Sequence, residues 1–554
     1  MPEIFPYIFA PQNKCIKKIT LLNVFQSLYI PYSETGKFSK IVLDYIEHSQ
    51  NLANFFEHPV SIEGIHASVL QRKKYPANRE LLVEQLNIQY ENIHDSDSIK
   101  SNIQALSKEN TFTVCTAHQP NIFTGHLYFV YKILHTIKLA DELRKQLPAY
   151  NFVPVFFMGS EDDDLQELNF VVVDGTKYEW HTQQTGAVGR MRADDNLLRL
   201  IDEIGGRLSV EKFGKDLMEL LKECFQKNRT IEQSTFLLVH HLFKSSGLVV
   251  FLPDNAVLKS SMLPVFEEDV FEHTSSQIVT RSSEKLLEAY KVQANPREIN
   301  LFYLKGDIRQ RIIRSKDQFI VHHTNIVFTK EALEKELRDH PGRFSPNVIL
   351  RGLYQEIILP NIAFIGGGAE IAYWLQLKDL FIYYKVPFPV LILRNSFMII
   401  EKKHHRLLEK LNLTSPALFK GEQALLNEIV TRQTSHRLAL DDEKSQMKKV
   451  YASIKKAVKE IDRSLMQHTE ALEIKDLKKL SALEKKMLRA EKRKFEDQKN
   501  QLTKIFSILF PHGSLQERTE NFMLYYAKWG NDFFDIIYDH SLTLEQKFCL
   551  IEER

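Results

Sequence analysis

Cysteine is scarce in this chain: Cys15, Cys115, Cys224 and Cys549 are the four among 554 residues, with no CxxC pair and no repeated spacing. That excludes a disulfide scaffold and a thiolate zinc ribbon, and it leaves free thiols of the kind a cytoplasmic protein carries. An excess of one charge is also missing, since 73 Lys and Arg stand against 71 Asp and Glu for a formal net charge of +2. Such a balance offers no basic face to nucleic acid or to an anionic membrane. No apolar run approaches the roughly 20 residues of a membrane span, and the start of the chain lacks the basic and apolar regions of a secretory leader. The expectation is a cytoplasmic protein with neither nucleic acid nor membrane as partner. There is no Walker A pattern, and no HxxxH or cysteine pair to hold a metal, so the metal expectation is none.

What is present is an ordinary globular composition, 44% hydrophobic and 26% charged, in a chain long enough for two or three domains. The most informative stretch runs from Asn110 to Asn169 and reads as one βαβ unit. A β-rich run at 112–116 leads through the turn-rich loop 117–125 into a helix from about His126 to Lys145, with Leu127, Val130, Leu134 and Ile137 at helical spacing. The next run, 152–158, is apolar throughout, as a strand buried on both faces of a parallel sheet should be. It ends in Gly159-Ser-Glu161-Asp162-Asp163-Asp164, which places carboxylates at a strand's C-terminal end, where open α/β sheets bind ligands.

Further buried strands are expected at 248–252, 361–365 and 388–393. The fourth run is followed by Gly366-Gly367-Gly368 and a helix, a plausible anion cradle because glycine lets backbone N–H groups approach a ligand. Between these runs, Arg309, Arg311 and Arg314 follow the turn Lys305-Gly306-Asp307 and read as a solvated strand face rather than an anion site. From Lys444 to Leu509 Gly and Pro become rare, and Met447, Tyr451, Ile454, Val458, Ile461 and Leu465 form a coiled-coil seam. Its phase slips near 471–476, which fits either a hairpin bent there or a stutter in one helix. The domain expectation is a core over 1–400 with insertions at roughly 175–345, a helical coiled coil over 401–509, and a segment 510–554 packing back on the core.

Several pieces together resemble the bacillithiol biosynthesis cysteine-adding enzymes: TAHQPNIFTGHLYFVYK (116–132), PVFFMGSEDDDLQELN (154–169), FSPNVILRGLYQEIILPNIAFIGGGAEIAYWLQLK (344–378), LRNSF (393–397) and LFPHGSLQER (509–518). The resemblance implies an α/β fold with a Rossmann-like parallel-sheet core, inserted connecting-peptide-like subdomains and a long α-helical coiled coil that makes a homodimer. The implied reaction adds L-cysteine to glucosaminyl-malate. Joining an amine to a carboxylic acid in water is uphill and needs an activated carboxyl, so ATP with Mg²⁺ is expected on chemistry and resemblance alone.

The resemblance carries catalytic roles to Glu161, Asp162, Asp163 and His118. Glu161 and Asp162 are expected to hold or deprotonate an ammonium, and Arg351 and Arg394 to clamp carboxylate with bidentate guanidinium geometry. Substrate contacts are further expected from Gln119, Asn121, Thr124, Gly125, Gln355, Glu370, Tyr373 and Ser396, and a nucleotide or anion cradle from Gly366, Gly367 and Gly368. Glu161, Asp162 and Asp164 offer oxygen ligands for Mg²⁺ bound with nucleotide phosphates. Two other classes remain open at this point: a class I synthetase-like or nucleotidyl-transfer enzyme activating a different acid, and a non-catalytic scaffold working through the coiled coil.

Overall fold

A computed structural model of the protein describes residues 24–554, so Cys15 lies outside the described residues. Two compact units emerge, one formed by the chain up to Met398 together with Ser514–Ile551, the other by Ile399–Gly513 with the last three residues.

The first unit is built on five strands: β1 (Thr111–His118), β2 (Asn151–Met158), β3 (Val249–Phe251), β4 (Asn361–Gly366) and β5 (Val390–Leu393). They lie in the order β5-β4-β1-β2-β3, and every neighbouring pair is parallel. This is the strand order of a dinucleotide-type doubly wound sheet, whose order reverses between β1 and β4. The runs are apolar because the strands are covered on both faces; Phe112, Val114, Phe152, Val155, Ile365 and Ile392 have no more than 1% exposure. Burying such a side chain contributes about 1.5–3 kcal/mol. Helices α1 (Ile62–Arg72) and α2 (Tyr128–Gln146) pack on the sheet through Ile65, Val69, Leu139 and Leu143.

Between β3 and β4 the chain inserts helices and a five-stranded antiparallel sheet made by 301–305, 308–315, 318–321, 327–328 and 344–346. Helix α3 (Val348–Ile358) returns the chain to β4, and the short α4 (Gly368–Trp374) follows it. The helix expected after the glycines comes in two pieces, with a second one over Lys378–Tyr383. The three described cysteines, Cys115, Cys224 and Cys549, are free and buried. No helix among the described residues is long and apolar enough to cross a membrane.

In the second unit, α5 (Asp441–Ile461) and α6 (Leu465–Lys492) form an antiparallel hairpin, and α7 (Glu496–Leu509) follows. Cross-helix pairs run in opposite directions: Lys444 to Glu484, Tyr451 to Asp476, Lys455 to Glu473. The bend is at 462–464 rather than at the phase slip near 471–476. The Ser464 N–H donates to the Asp462 carboxylate at 2.8 Å, a local turn that competes with the helix. Ile461 and Leu465 flank that turn at a spacing of four, so the apolar period runs through it unbroken.

Candidate active site

Beyond the C-terminal ends of the strands lies a cleft of about 630 Å³, lined by groups from the loops after all five. His118 and Gln119 come from β1, Gly159 and the acidic run from β2, Pro253 from β3, Gly367 to Glu370 from β4, and Arg394 from β5. This is the crevice where α/β sheets of this order bind ligands.

The loop from β1 into α2 is backbone-strained. Phe123, Thr124 and Gly125 have φ of 49°, 70° and 65°, a conformation that costs non-glycine residues free energy and survives only where surroundings impose it. The Asn521 side chain imposes it by donating to the Phe123 and Gly125 carbonyls. Asn121, Thr124 and Gly125 shape this loop and do not line the cleft. The Asn121 amide donates to the Glu167 carbonyl at 3.2 Å, and a Cβ on Gly125 would meet Asn121 Cβ at 2.8 Å. The His126 ring bonds the Thr519 carbonyl at 3.1 Å and is also part of this clamp.

Most charges in the cleft are paired with one another. Glu161 forms an ion pair with Lys259, whose ammonium is fully buried and also reaches Asp254 at 3.2 Å; Asp254 in turn accepts from Nε and one terminal nitrogen of Arg190 at 2.6 and 2.8 Å. Glu161, expected to hold a substrate ammonium, is thus already paired with one that the protein supplies. Asp163 is likewise bound at 2.5 Å by Arg309, which lies over the Phe302 ring at 3.9 Å. Arg309 is only 8% exposed, so this member of the Arg309, Arg311, Arg314 cluster is a cleft residue and not a solvated face. Asp164 caps the turn 165–168 by accepting from the Glu167 N–H.

On the opposite wall, Lys132 pairs with Glu370 and donates to the Ala117 carbonyl at 3.0 Å. Arg394 gives both terminal nitrogens to Glu517, at 3.0 and 2.7 Å, and one of them also to Ser396. The bidentate fork expected to clamp a substrate carboxylate is thus engaged inside the protein, although Arg394 lines the cleft; Ser396 serves Arg394 and does not line it. Gln355 is equally internal, accepting from Arg351 and donating to Glu356.

Two groups expected at the site keep their charge available. Among the described residues, Asp162 accepts only from neutral donors, Gln119 Nε2 at 3.0 Å and the Asp164 N–H at 3.3 Å. Arg351 donates to Tyr373 Oη at 2.8 Å and to Gln355, with the Phe157 and Phe364 rings 5.7 and 5.9 Å away. Burial depresses its guanidinium, but Tyr373 and the nearby Glu370 charge outweigh that and raise it. His118 is held well below the ordinary histidine value by burial and by Lys132, so its ring is neutral at physiological pH.

The triple glycine is not an open cradle. The Gly367 N–H donates to Glu370 Oε2 at 2.7 Å, so the first turn of α4 is closed by its own carboxylate, and Gly366 is needed for room, since a Cβ there would meet the Phe364 ring at 2.9 Å. The residues expected to hold Mg²⁺ do not fit it either. Glu161 turns to Lys259 and Asp164 to its cap, and among the described residues no three His, Cys, Asp or Glu side chains group to hold a metal ion.

Lys132, Lys259, Tyr128 and Arg518 at this site carried no functional reading in the sequence. A lysine inside the apolar helix run 127–134 was the one legible signal, because a cation there needs a buried partner.

Behind the acidic wall, burial, with repulsion from Asp254 and Glu161, pushes the Glu232 carboxyl up to about 7. A carboxyl raised above its unfolded value adds stability that is complete below about pH 4.5 and is lost as pH rises through 7. Glu232→Gln should therefore leave the unfolding free energy unchanged at pH 4 and raise it, relative to the parent, by up to about 3 kcal/mol at pH 8.5, at about 1.4 kcal/mol per pKa unit. Denaturant titrations at the two pH values check this.

The "Bacillithiol biosynthesis BshC, N-terminal Rossmann-like domain" model matches residues 25–395, and the matching C-terminal coiled-coil model residues 397–553. A protein of Flavobacterium johnsoniae is 38% identical over 524 residues, covering 94% of this chain and 99% of the relative. One from Christiangramia forsetii is 37% identical over 529 residues, covering 94% and 98%. A third, from Cytophaga hutchinsonii, is 36% identical over 501 residues, covering 90% and 94%. All three carry the name "Putative cysteine ligase BshC". With a parallel-sheet domain and a helical hairpin domain each matched nearly throughout, the chain belongs to the bacillithiol biosynthesis BshC family.

Proposed function

We propose that this cleft joins the carboxyl group of L-cysteine to the amine of glucosaminyl-malate, the last step in making bacillithiol. The observation that carries the reading is what remains once the internal ion pairs are set aside: the Asp162 carboxylate on one wall and the Arg351 guanidinium on the other. An amine that attacks an activated carboxyl arrives as an ammonium and must lose a proton, and Asp162 is placed to hold it and take that proton. His118, kept neutral, adds no positive charge against the ammonium. Arg351 offers a carboxylate two parallel donors. Lys259, Arg190 and Arg309 lock the flanking carboxylates, which fixes the acidic wall before substrate arrives.

ATP enters the proposal as a co-substrate, with Mg²⁺ travelling on its phosphates, because amide formation needs an activated carboxyl. The Gly366–Gly368 turn is not assigned to it. We also place the enzyme in the cytoplasm, where a thiol substrate stays reduced, and as a homodimer through the α5–α6 hairpin. That hairpin leaves Val450, Ile454, Ile461, Leu472, Ile474 and Leu483 exposed, an apolar surface of the kind that partners cover.

Purified protein incubated with cysteine and glucosaminyl-malate, with and without ATP and Mg²⁺, should give an ATP-dependent thiol product visible by mass spectrometry after thiol labelling, and should sediment as two copies. Absence of product from a folded dimer in every condition would sink the substrate assignment.

A further inference from the structure

The cleft holds a second proton acceptor beside Asp162. His118 ends β1, and its ring Nδ1 lies 3.2 Å from the Gln119 carbonyl oxygen. A carbonyl can only accept, so Nδ1 carries the hydrogen; a neutral imidazole has a single N–H, which leaves Nε2 bare. Among the described residues Nε2 meets no hydrogen-bond partner, and His118 lines the cleft. Tyr128 and Phe129, in the first turn of α2, hold the ring from centroids 5.4 Å away in each case. The same Gln119 donates its side-chain amide to Asp162 Oδ2 at 3.0 Å. One residue therefore orients both acceptors, His118 through its backbone carbonyl and Asp162 through its side chain. The parallel register that pairs His118 with Met158 sets the two loops side by side.

An ammonium that becomes an amide nitrogen sheds two protons, and one carboxylate takes only one of them. The first leaves before attack, when the ammonium passes it to Asp162 and becomes a nucleophile. The amine then bonds to the cysteinyl carbon, activated by a phosphoryl or nucleotidyl group from ATP. In the tetrahedral adduct its nitrogen is positively charged and loses a second proton; the carbonyl re-forms as the C–O bond to the leaving phosphate breaks and that oxygen keeps the electron pair. We propose that His118 Nε2 takes this second proton, so that Asp162 and His118 serve successive steps from the two sides of Gln119. This rests on the ligase reading. The adduct nitrogen is a stronger acid than a free ammonium, because its carbon carries electron-withdrawing oxygens, so a weak base suffices. Burial, then Lys132, His126 and Arg394, lower the proton affinity of the ring against a smaller opposing pull from the Gln119 carbonyl. The imidazolium therefore passes its proton on to water and the site resets.

Hydroxylamine separates the two steps: it is uncharged at about pH 8 and skips the first deprotonation, while its adduct still needs the second. With cysteine and ATP, the full-length parent should form cysteine hydroxamate. Asp162→Asn should form it within about threefold of the parent rate while losing ligation to glucosaminyl-malate. His118→Asn, whose amide replaces Nδ1 at the Gln119 carbonyl and removes Nε2, should lose about 10²-fold in both reactions. Its first turnover of ATP with cysteine, and its binding of glucosaminyl-malate by calorimetry, should stay within about twofold. Parental hydroxamate formation by His118→Asn overturns the proposal. So does a slowed first turnover of ATP, which would put His118 at the phosphates, or weakened glycoside binding, which would make Nε2 a hydroxyl acceptor. Nitrogen-15 spectra of the parent, which need no variant, should show His118 protonated at Nδ1 alone; the other tautomer overturns the proposal by itself. A parent that makes hydroxamate but no bacillithiol overturns the acceptor in the ligase reading and leaves the proton assignment standing; a parent that makes neither overturns both.

Discussion

Asp162→Asn should lower kcat/KM for ligation by about 10²- to 10⁴-fold, the usual worth of a positioned base, with the thermal unfolding temperature nearly unchanged. Four consecutive acidic residues invite the assumption of shared or redundant work, and the geometry argues against it. Glu161 faces Lys259, Asp163 faces Arg309, and Asp164 caps a turn, so each has a structural partner that consumes its charge or orientation. Asp162 alone in this run bonds only an amide side chain and a backbone N–H. The asparagine variant keeps the shape and an oxygen acceptor for Gln119, and removes the negative charge and the proton acceptor. The comparison with Asp163→Asn sharpens the test. That change unpairs Arg309 and should mainly raise KM, by loosening the inserted sheet where it meets the cleft. Similar losses of kcat in both variants would remove Asp162 from its special position.

Glu356→Gln should destabilise the first unit by about 3–5 kcal/mol, the cost of leaving a buried charge without its partner. Arg72 on α1 and Glu356 on α3 are 1% and 0% exposed and pair at 2.5 Å. Arg72 also donates to the Glu356 carbonyl at 2.8 Å and to the Pro387 carbonyl at 3.0 Å, while Glu356 accepts from Gln355 and Asn361. One pair therefore ties α1, α3, the start of β4 and the entry to β5. Glutamine preserves the volume and strands the guanidinium. The double variant Arg72→Met with Glu356→Leu removes both charges and should recover most of the loss, because desolvating the pair costs about as much as its attraction returns. Guanidinium titration of the parent, the single and the double variant measures this. A single variant within about 1 kcal/mol of the parent would mean that Arg72 finds other compensation. Since Gln355 joins Glu356 to Arg351, the single variant should also impair turnover beyond its loss of folded protein.

How much of this was legible beforehand depends on the range over which each feature is encoded. The runs 112–116, 152–158 and 361–365 announced parallel strands because strands covered on both faces must be apolar at every position. The acidic tip after Met158 and the glycines after Ile365 were recognisable as strand-end loops for the same local reason. The seam in α5 and α6 was visible from its period, but not its bend, because the three-residue Asp462–Ser464 turn leaves the apolar spacing intact.

Pairing was not legible. Glu161 meets Lys259 across 98 residues, Asp163 meets Arg309 across 146, and Arg394 meets Glu517 across 123. In each case an isolated charge in the sequence is indistinguishable from a free one. The expectation therefore assigned substrate roles to Glu161 and Arg394 with no sign that each meets a partner inside the protein.

By itself the sequence determined the kind of layers this protein builds, a buried parallel sheet and a helical hairpin, because hydrophobic periodicity is local. It also placed the cleft, since ligand crevices lie at strand C-termini. Only the tertiary structure decided which of the cleft's charges remain available to a ligand, because whether a buried carboxylate or guanidinium is spent depends on a partner that arrives from a distant part of the chain.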